Sequence, residues 1–88
     1  MVDVPTRIRL LAQSRDFQPS VRIGKAGLTD TVIEEIRQQL FAREVVKVKV
    51  NRGLFDKEDR QLIWAQLADM TNSTLVLQRG NIGVLWRR

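Results

Sequence analysis

Six consecutive residues, Val45-Val46-Lys47-Val48-Lys49-Val50, alternate valine and lysine with a single break. A period of two puts Val46, Val48 and Val50 on one face of a strand and Lys47 and Lys49 on the other. One face therefore meets a core and the other meets solvent or a ligand. Upstream, Val21 and Ile23 flank Arg22 in the same way over a shorter run. Between these runs the period changes. Val32, Ile33, Ile36 and Leu40 recur at helical spacing behind Thr29, a good N-cap, and predict a helix from about Asp30 to Arg43. Its polar face carries Glu34, Arg37 and Gln38, and Glu44 marks the exit.

Helical spacing recurs twice more. From Thr6 to about Ser14, Ile8, Leu11 and Ala12 share one face, opposite Arg7, Arg9 and Gln13. From Asp56 to about Met70, Ile63, Trp64, Leu67 and Met70 form one broad stripe, with Trp64 read as core, and Thr71-Asn72-Ser73 ends the helix. Met1 to Pro5 reads as a frayed start, and Asp16 to Ser20 as a connector in which Phe17 plugs the core. Asn51-Arg52-Gly53 is a turn signal. Two apolar runs, Thr74 to Arg79 and Ile82 to Arg87, flank Gly80-Asn81 and predict a hairpin with a primed turn. The order α-β-α-β-α-β-β predicts an α/β sandwich built on one mixed four-stranded sheet. The 88 residues make one domain, with no repeat, linker or low-complexity segment.

The first strand runs straight into Gly24-Lys25-Ala26-Gly27 and then into the helix start at Thr29. Glycines permit positive φ and close approach of another molecule to the backbone. A helix start supplies unpaired N–H groups and partial positive charge. Together with Lys25 these make a candidate phosphate-binding cradle. The alternative is a glycine turn serving only tight strand-to-helix packing. A Walker-type nucleotide site does not fit, because the glycine spacing is wrong and Lys25 lies between the glycines.

Composition narrows the chemistry. There is no cysteine and no histidine, which excludes disulfides and thiolate zinc sites and removes the commonest metal ligand. The acids gather at Asp30, Glu34, Glu35 and at Asp56, Glu58, Asp59, where helix starts account for them. No catalytic residue, cofactor or metal site is therefore expected. No apolar run approaches the length of a membrane span and the N-terminus is unlike a signal peptide, so the expected address is the cytoplasm, away from membranes. Fifteen Lys+Arg against ten Asp+Glu give net +5, which suits a polyanionic partner. Arg22, Lys47 and Lys49 share one sheet face if the first two strands are neighbours, as a basic track beside the loop. Arg79, Arg87 and Arg88, at strand ends, extend it. Trp86 lacks an aromatic neighbour at strand spacing and reads as hairpin packing.

Three landmarks in order resemble one family. They are Leu11-Ala12 and Pro19 leading to Val21-Arg22-Ile23-Gly24-Lys25-Ala26-Gly27-Leu28-Thr29, then Val46-Lys47-Val48-Lys49-Val50, then Gly80-Asn81-Ile82-Gly83-Val84-Leu85-Trp86-Arg87. This pattern resembles the CRM domain, the chloroplast RNA splicing and ribosome maturation domain, also called YhbY-like. The resemblance spans about Ile8 to Arg88. It implies a fold related to the C-terminal domain of bacterial translation initiation factor three, and RNA binding through a loop likened to that of KH domains. It places the site at Gly24, Lys25, Ala26 and Gly27, with Lys47 and Lys49 as basic support. It also implies a partner in precursors of the large ribosomal subunit, which single-domain bacterial members accompany. Gly83 stands where the family has a larger residue, which predicts a bulge in the last strand. The expectation is a non-enzymatic, monomeric RNA-binding module. A small chromatin-type DNA-binding protein and a protein-interaction adaptor are the alternatives.

Overall fold

The computed structural model describes residues 3–53 and 55–87. Met1, Val2, Leu54 and Arg88 lie outside the described residues, and with them part of the frayed start and the Arg88 end of the proposed track. The elements are α1 (Thr6–Gln13), β1 (Val21–Ile23), α2 (Asp30–Arg43), β2 (Val45–Val50), α3 (Lys57–Met70), β3 (Thr74–Arg79) and β4 (Ile82–Trp86). They form one mixed sheet in the order β1-β2-β4-β3, with β1 parallel to β2 and β4 antiparallel to both its neighbours. The α/β class with a mixed four-stranded sheet is as the sequence implies. The order is less obvious, since β4 slots between β2 and β3.

The valine–lysine alternation decides the layers. Val46, Val48 and Val50 join Val21, Ile23 and Leu85 under Ile33, Ile36 and Leu40 of α2 and Ile63, Trp64 and Leu67 of α3, forming the main core. The opposite face is not left to solvent along its whole length. Val45, Val84 and Trp86 pack there against Ile8 and Ala12 of α1, with Phe17 against the same cluster. Trp86 is thus buried, as the packing reading requires. Two stripe assignments fail at their edges: Leu11 is 42% and Met70 43% exposed. Each ends up beyond the core because its helix presents a narrower face than the run of apolar residues implies.

Local chemistry sets the boundaries. Thr29 Oγ1 accepts from Val32 N at 3.2 Å and Asp56 Oδ1 from Asp59 N at 3.1 Å, capping α2 and α3. Asn72 takes φ 53° just past α3, and Ser73 N donates back to Ala68 O at 2.9 Å, which turns the chain out of the helix. Gly80, with φ 56°, is the positive-φ member of the hairpin pair, as a II′ turn requires. The expected bulge at Gly83 is absent. The register irregularity lies instead on β3, between Leu75 and Leu77. Gly83 stays in register opposite Val48 and Gln78, with the Trp64 ring packed against it. A Cβ there would come within 2.7 Å of that ring.

Candidate nucleic-acid interface

The loop Gly24-Lys25-Ala26-Gly27 closes as a turn, with Gly27 N donating to Gly24 O at 3.0 Å. Thr29 N donates to Gly27 O at 3.1 Å, so two of the amides the sequence offers to a ligand are satisfied internally. The amides of Gly24, Lys25 and Ala26 have no acceptor among the described residues, and Lys25 and Ala26 are exposed. The cradle is therefore smaller than the sequence suggests: three adjacent N–H groups, the Lys25 ammonium and the start of α2. The glycines differ in what they do. Gly27 sits at φ 73°, a conformation that side-chain-bearing residues seldom adopt. Gly24 lacks a positive φ, and a Cβ on it would touch Asn51 Nδ2 at an ordinary 3.6 Å. Its own fold does not demand a glycine there.

The strand register places the basic residues. Arg22 pairs with Lys49, Lys49 with Ile82, and Ile82 with Arg79. Directly opposed residues share a sheet face. Arg22, Lys49, Ile82 and Arg79 thus form one row across all four strands, at the end that carries the glycine loop. Three strand spacings of about 4.8 Å make it roughly 14 Å long. Arg22 and Arg79 are exposed and Lys49 half-buried. Lys47 shares this face but is committed inward. Its Nζ donates to Phe17 O at 2.7 Å and lies 5.7 Å from the centre of the Phe17 ring. Arg87 is at the opposite end of the sheet, where its guanidinium donates to Phe41 O at 3.1 Å, so it does not extend the row.

Two cations that the sequence reading passed over belong to this end of the molecule. Arg52 follows β2, and its neighbour Asn51 donates from N to Ile23 O at 2.9 Å, beside the glycine loop. Arg15 follows α1 at the open side of the row. A parallel pairing of the first two strands would have announced Arg52, since it brings both C-terminal strand ends together. Among the described residues, Arg15, Arg22, Lys25, Lys49, Arg52 and Arg79 donate no side-chain hydrogen bond and make no ion pair, whereas Arg7, Arg37, Arg60 and Arg87 are engaged.

The carboxylates mark the neighbouring surfaces that repel an anion. Asp30, Glu34 and Glu35 line the outer side of α2. At the start of α3 the charge of Asp56, its hydrogen bond to Asp59 and then burial and the Glu58 charge raise the Asp59 carboxyl above the ordinary aspartate range. Arg22 and Lys49 lie on the sheet face turned away from α2 and α3 and their carboxylates. At the far end of the sheet, a hydrogen bond from Arg7 holds the Glu44 carboxyl below its usual range, at 2.9 Å, and the charges of Arg7 and Arg87 act in the same direction. Among the described residues no three His, Cys, Asp or Glu side chains gather as metal ligands, and no helix is long and apolar enough to cross a membrane.

Comparison with known proteins agrees with this fold. Residues 5–87 match the CRS1/YhbY (CRM) domain. The Bacillus subtilis protein named Probable RNA-binding protein YqeI is 32% identical over 89% of this chain and 79% of its own length. A Haemophilus influenzae protein named RNA-binding protein is 39% identical over 81% of this chain and 70% of its own. The solution structure of a hypothetical Staphylococcus aureus protein, whose proposed role is RNA binding, superposes with a TM-score of 0.76 at 30% identity, covering 93% of this chain and 81% of that one. With the match running through every element from α1 to β4, the chain belongs to the CRS1/YhbY (CRM) domain family.

Proposed function

We propose that the protein binds RNA without catalysing a reaction on it, gripping one strand by its sugar–phosphate backbone. The observation that carries this reading is the gathering of unengaged donors at one end of the sheet: the Gly24, Lys25 and Ala26 amides, and the Arg22, Lys25, Lys49 and Arg52 side chains. Such groups position a phosphate backbone and read little sequence. The names of the relatives support RNA as the partner. The resemblance to single-domain bacterial members supports ribosomal RNA in precursors of the large subunit, with the protein acting as a cytoplasmic monomer. The two-residue turn at Gly80-Asn81 leaves no long basic arm for wrapping a duplex, which weighs against a chromatin-type reading.

Salt dependence tests the mechanism. With about four phosphates neutralised on a single strand, log K should fall with log salt at a slope near −3. Lys49→Gln should reduce that slope by roughly 0.7 to 1, because one cation is removed. A fluorescence titration of an unstructured RNA at several salt concentrations measures both. A salt-independent affinity, or a slope that Lys49→Gln leaves unchanged, contradicts the proposal. Crosslinking in cells followed by sequencing of the attached RNA identifies the target, and an absence of large-subunit sequences would remove the ribosomal part.

A further inference from the structure

The row across the sheet ends in a groove of about 190 Å³ that the glycine loop does not share. Its floor is Leu77 and Ile82, both half-buried, and its walls are Gln13, Ser14 and Arg15 on one side and Arg79 on the other. Lys47 also borders it, with its ammonium turned to Phe17 O. Arg15 and Arg79 are exposed and, among the described residues, their side chains donate no hydrogen bond and make no ion pair. An apolar floor under unpaired guanidinium groups suits a flat, weakly polar ring attached to an anion. The groove is smaller than the roughly 300–1,000 Å³ of pockets that take whole small molecules. It has room for one ring system.

From this we infer that the groove receives a single unstacked base of the RNA strand held by the glycine loop, seated on Leu77 and Ile82 with the Arg15 and Arg79 guanidinium groups closing over its face. The inference rests on the RNA-backbone reading of that loop. The register supplies the path. A strand leaving the loop beside Arg22 meets Lys49, crosses Ile82 and arrives at Arg79 within roughly 14 Å. Unstacked bases laid on protein surfaces are how single-stranded RNA is commonly recognised. The Gln13 amide and the Ser14 hydroxyl stand at the groove wall, where they can meet the edge of that base. The loop would then set affinity for any strand, and the groove would set a preference at one position.

The test uses the full chain and two fluorescein-labelled probes: an unstructured twelve-nucleotide RNA of alternating C and A, and a base-free ribose–phosphate strand of the same length. Arg15→Ala/Arg79→Ala alters exposed side chains only, and a thermal melt checks that the fold is kept. Wild type should prefer the RNA over the base-free strand by about 5- to 20-fold, and the double variant should lose most of that preference. The loop variant Lys25→Asp/Ala26→Asp should weaken both probes alike. If the loop variant weakens binding but the groove variant changes neither probe, the groove inference fails and the loop reading stands. If wild type binds both probes equally, the groove is a charge patch and the inference also fails. If neither variant alters binding, both readings fall together.

Discussion

Gly83→Ala should destabilise the protein by about 2 kcal/mol, lowering Tm by roughly 8–16 °C for a domain of this size. The added Cβ would lie 2.7 Å from Trp64 Cε3 and Cζ3 and 2.9 Å from Cδ2, distances that real methyl groups do not tolerate. Neither partner can retreat cheaply. Gly83 is held between Val48 and Gln78 in the sheet interior, and Trp64 is 1% exposed. Alanine recovers about 0.5–1 kcal/mol of backbone entropy relative to glycine, which the overpacking outweighs. Gly83→Val should fail to fold. Because the conflict is with the six-membered ring of one indole, Trp64→Leu in the same chain should restore part of the loss, making the double variant more stable than the sum of the singles. Denaturant melts of the four proteins measure this. An unchanged Tm for Gly83→Ala, or strict additivity with Trp64→Leu, contradicts the packing account.

The largest effect on binding should come from Lys25→Asp/Ala26→Asp, with RNA affinity reduced by about 100-fold or more. Two changes act together. A cation is removed and two anions are placed on the two exposed loop residues whose amides have no acceptor. At a phosphate contact, like charge replaces opposite charge within a few ångströms, where each such interaction costs about 1–4 kcal/mol. Both glycines remain, so the φ of 73° at Gly27 is undisturbed. Exposed substitutions away from packing and caps usually stay within about 0.5 kcal/mol of the parent, so the melt should not move appreciably. Lost affinity at unchanged Tm supports the loop as the contact. Retained affinity rejects it, and a lowered Tm in parallel with lost affinity would trace the effect to misfolding.

Much of this was legible in the sequence because it is local. The Val–Lys alternation gave β2 and its two faces, the Thr29 cap gave the start of α2, and Gly80-Asn81 gave the hairpin. What was not legible depends on contacts far apart in the chain. The partial cover of the lysine face follows from α1 docking on Val45, Val84 and Trp86, yet α1 leaves Leu10 and Leu11 exposed and gives little sign of which surface it covers. Inward commitment of Lys47 needs Phe17 to be folded under it, thirty residues away in sequence. The row from Arg22 to Arg79 exists only because β4 lies between β2 and β3, an order that no local pattern encodes. Gly83 misled for the same reason. Read alone it signals a bulge, but beside Trp64 it is the only residue that fits.

The claim on which the account depends is that the glycine loop touches RNA through its main chain. Amide resonances recorded during titration with the twelve-nucleotide RNA test it directly. The largest shifts are expected at Lys25 and Ala26, smaller ones along Arg22, Lys49 and Arg52, and stationary signals on the outer side of α2 from Glu34 to Gln38. Saturable binding that moves the α2 signals and leaves Lys25 and Ala26 unchanged would contradict it.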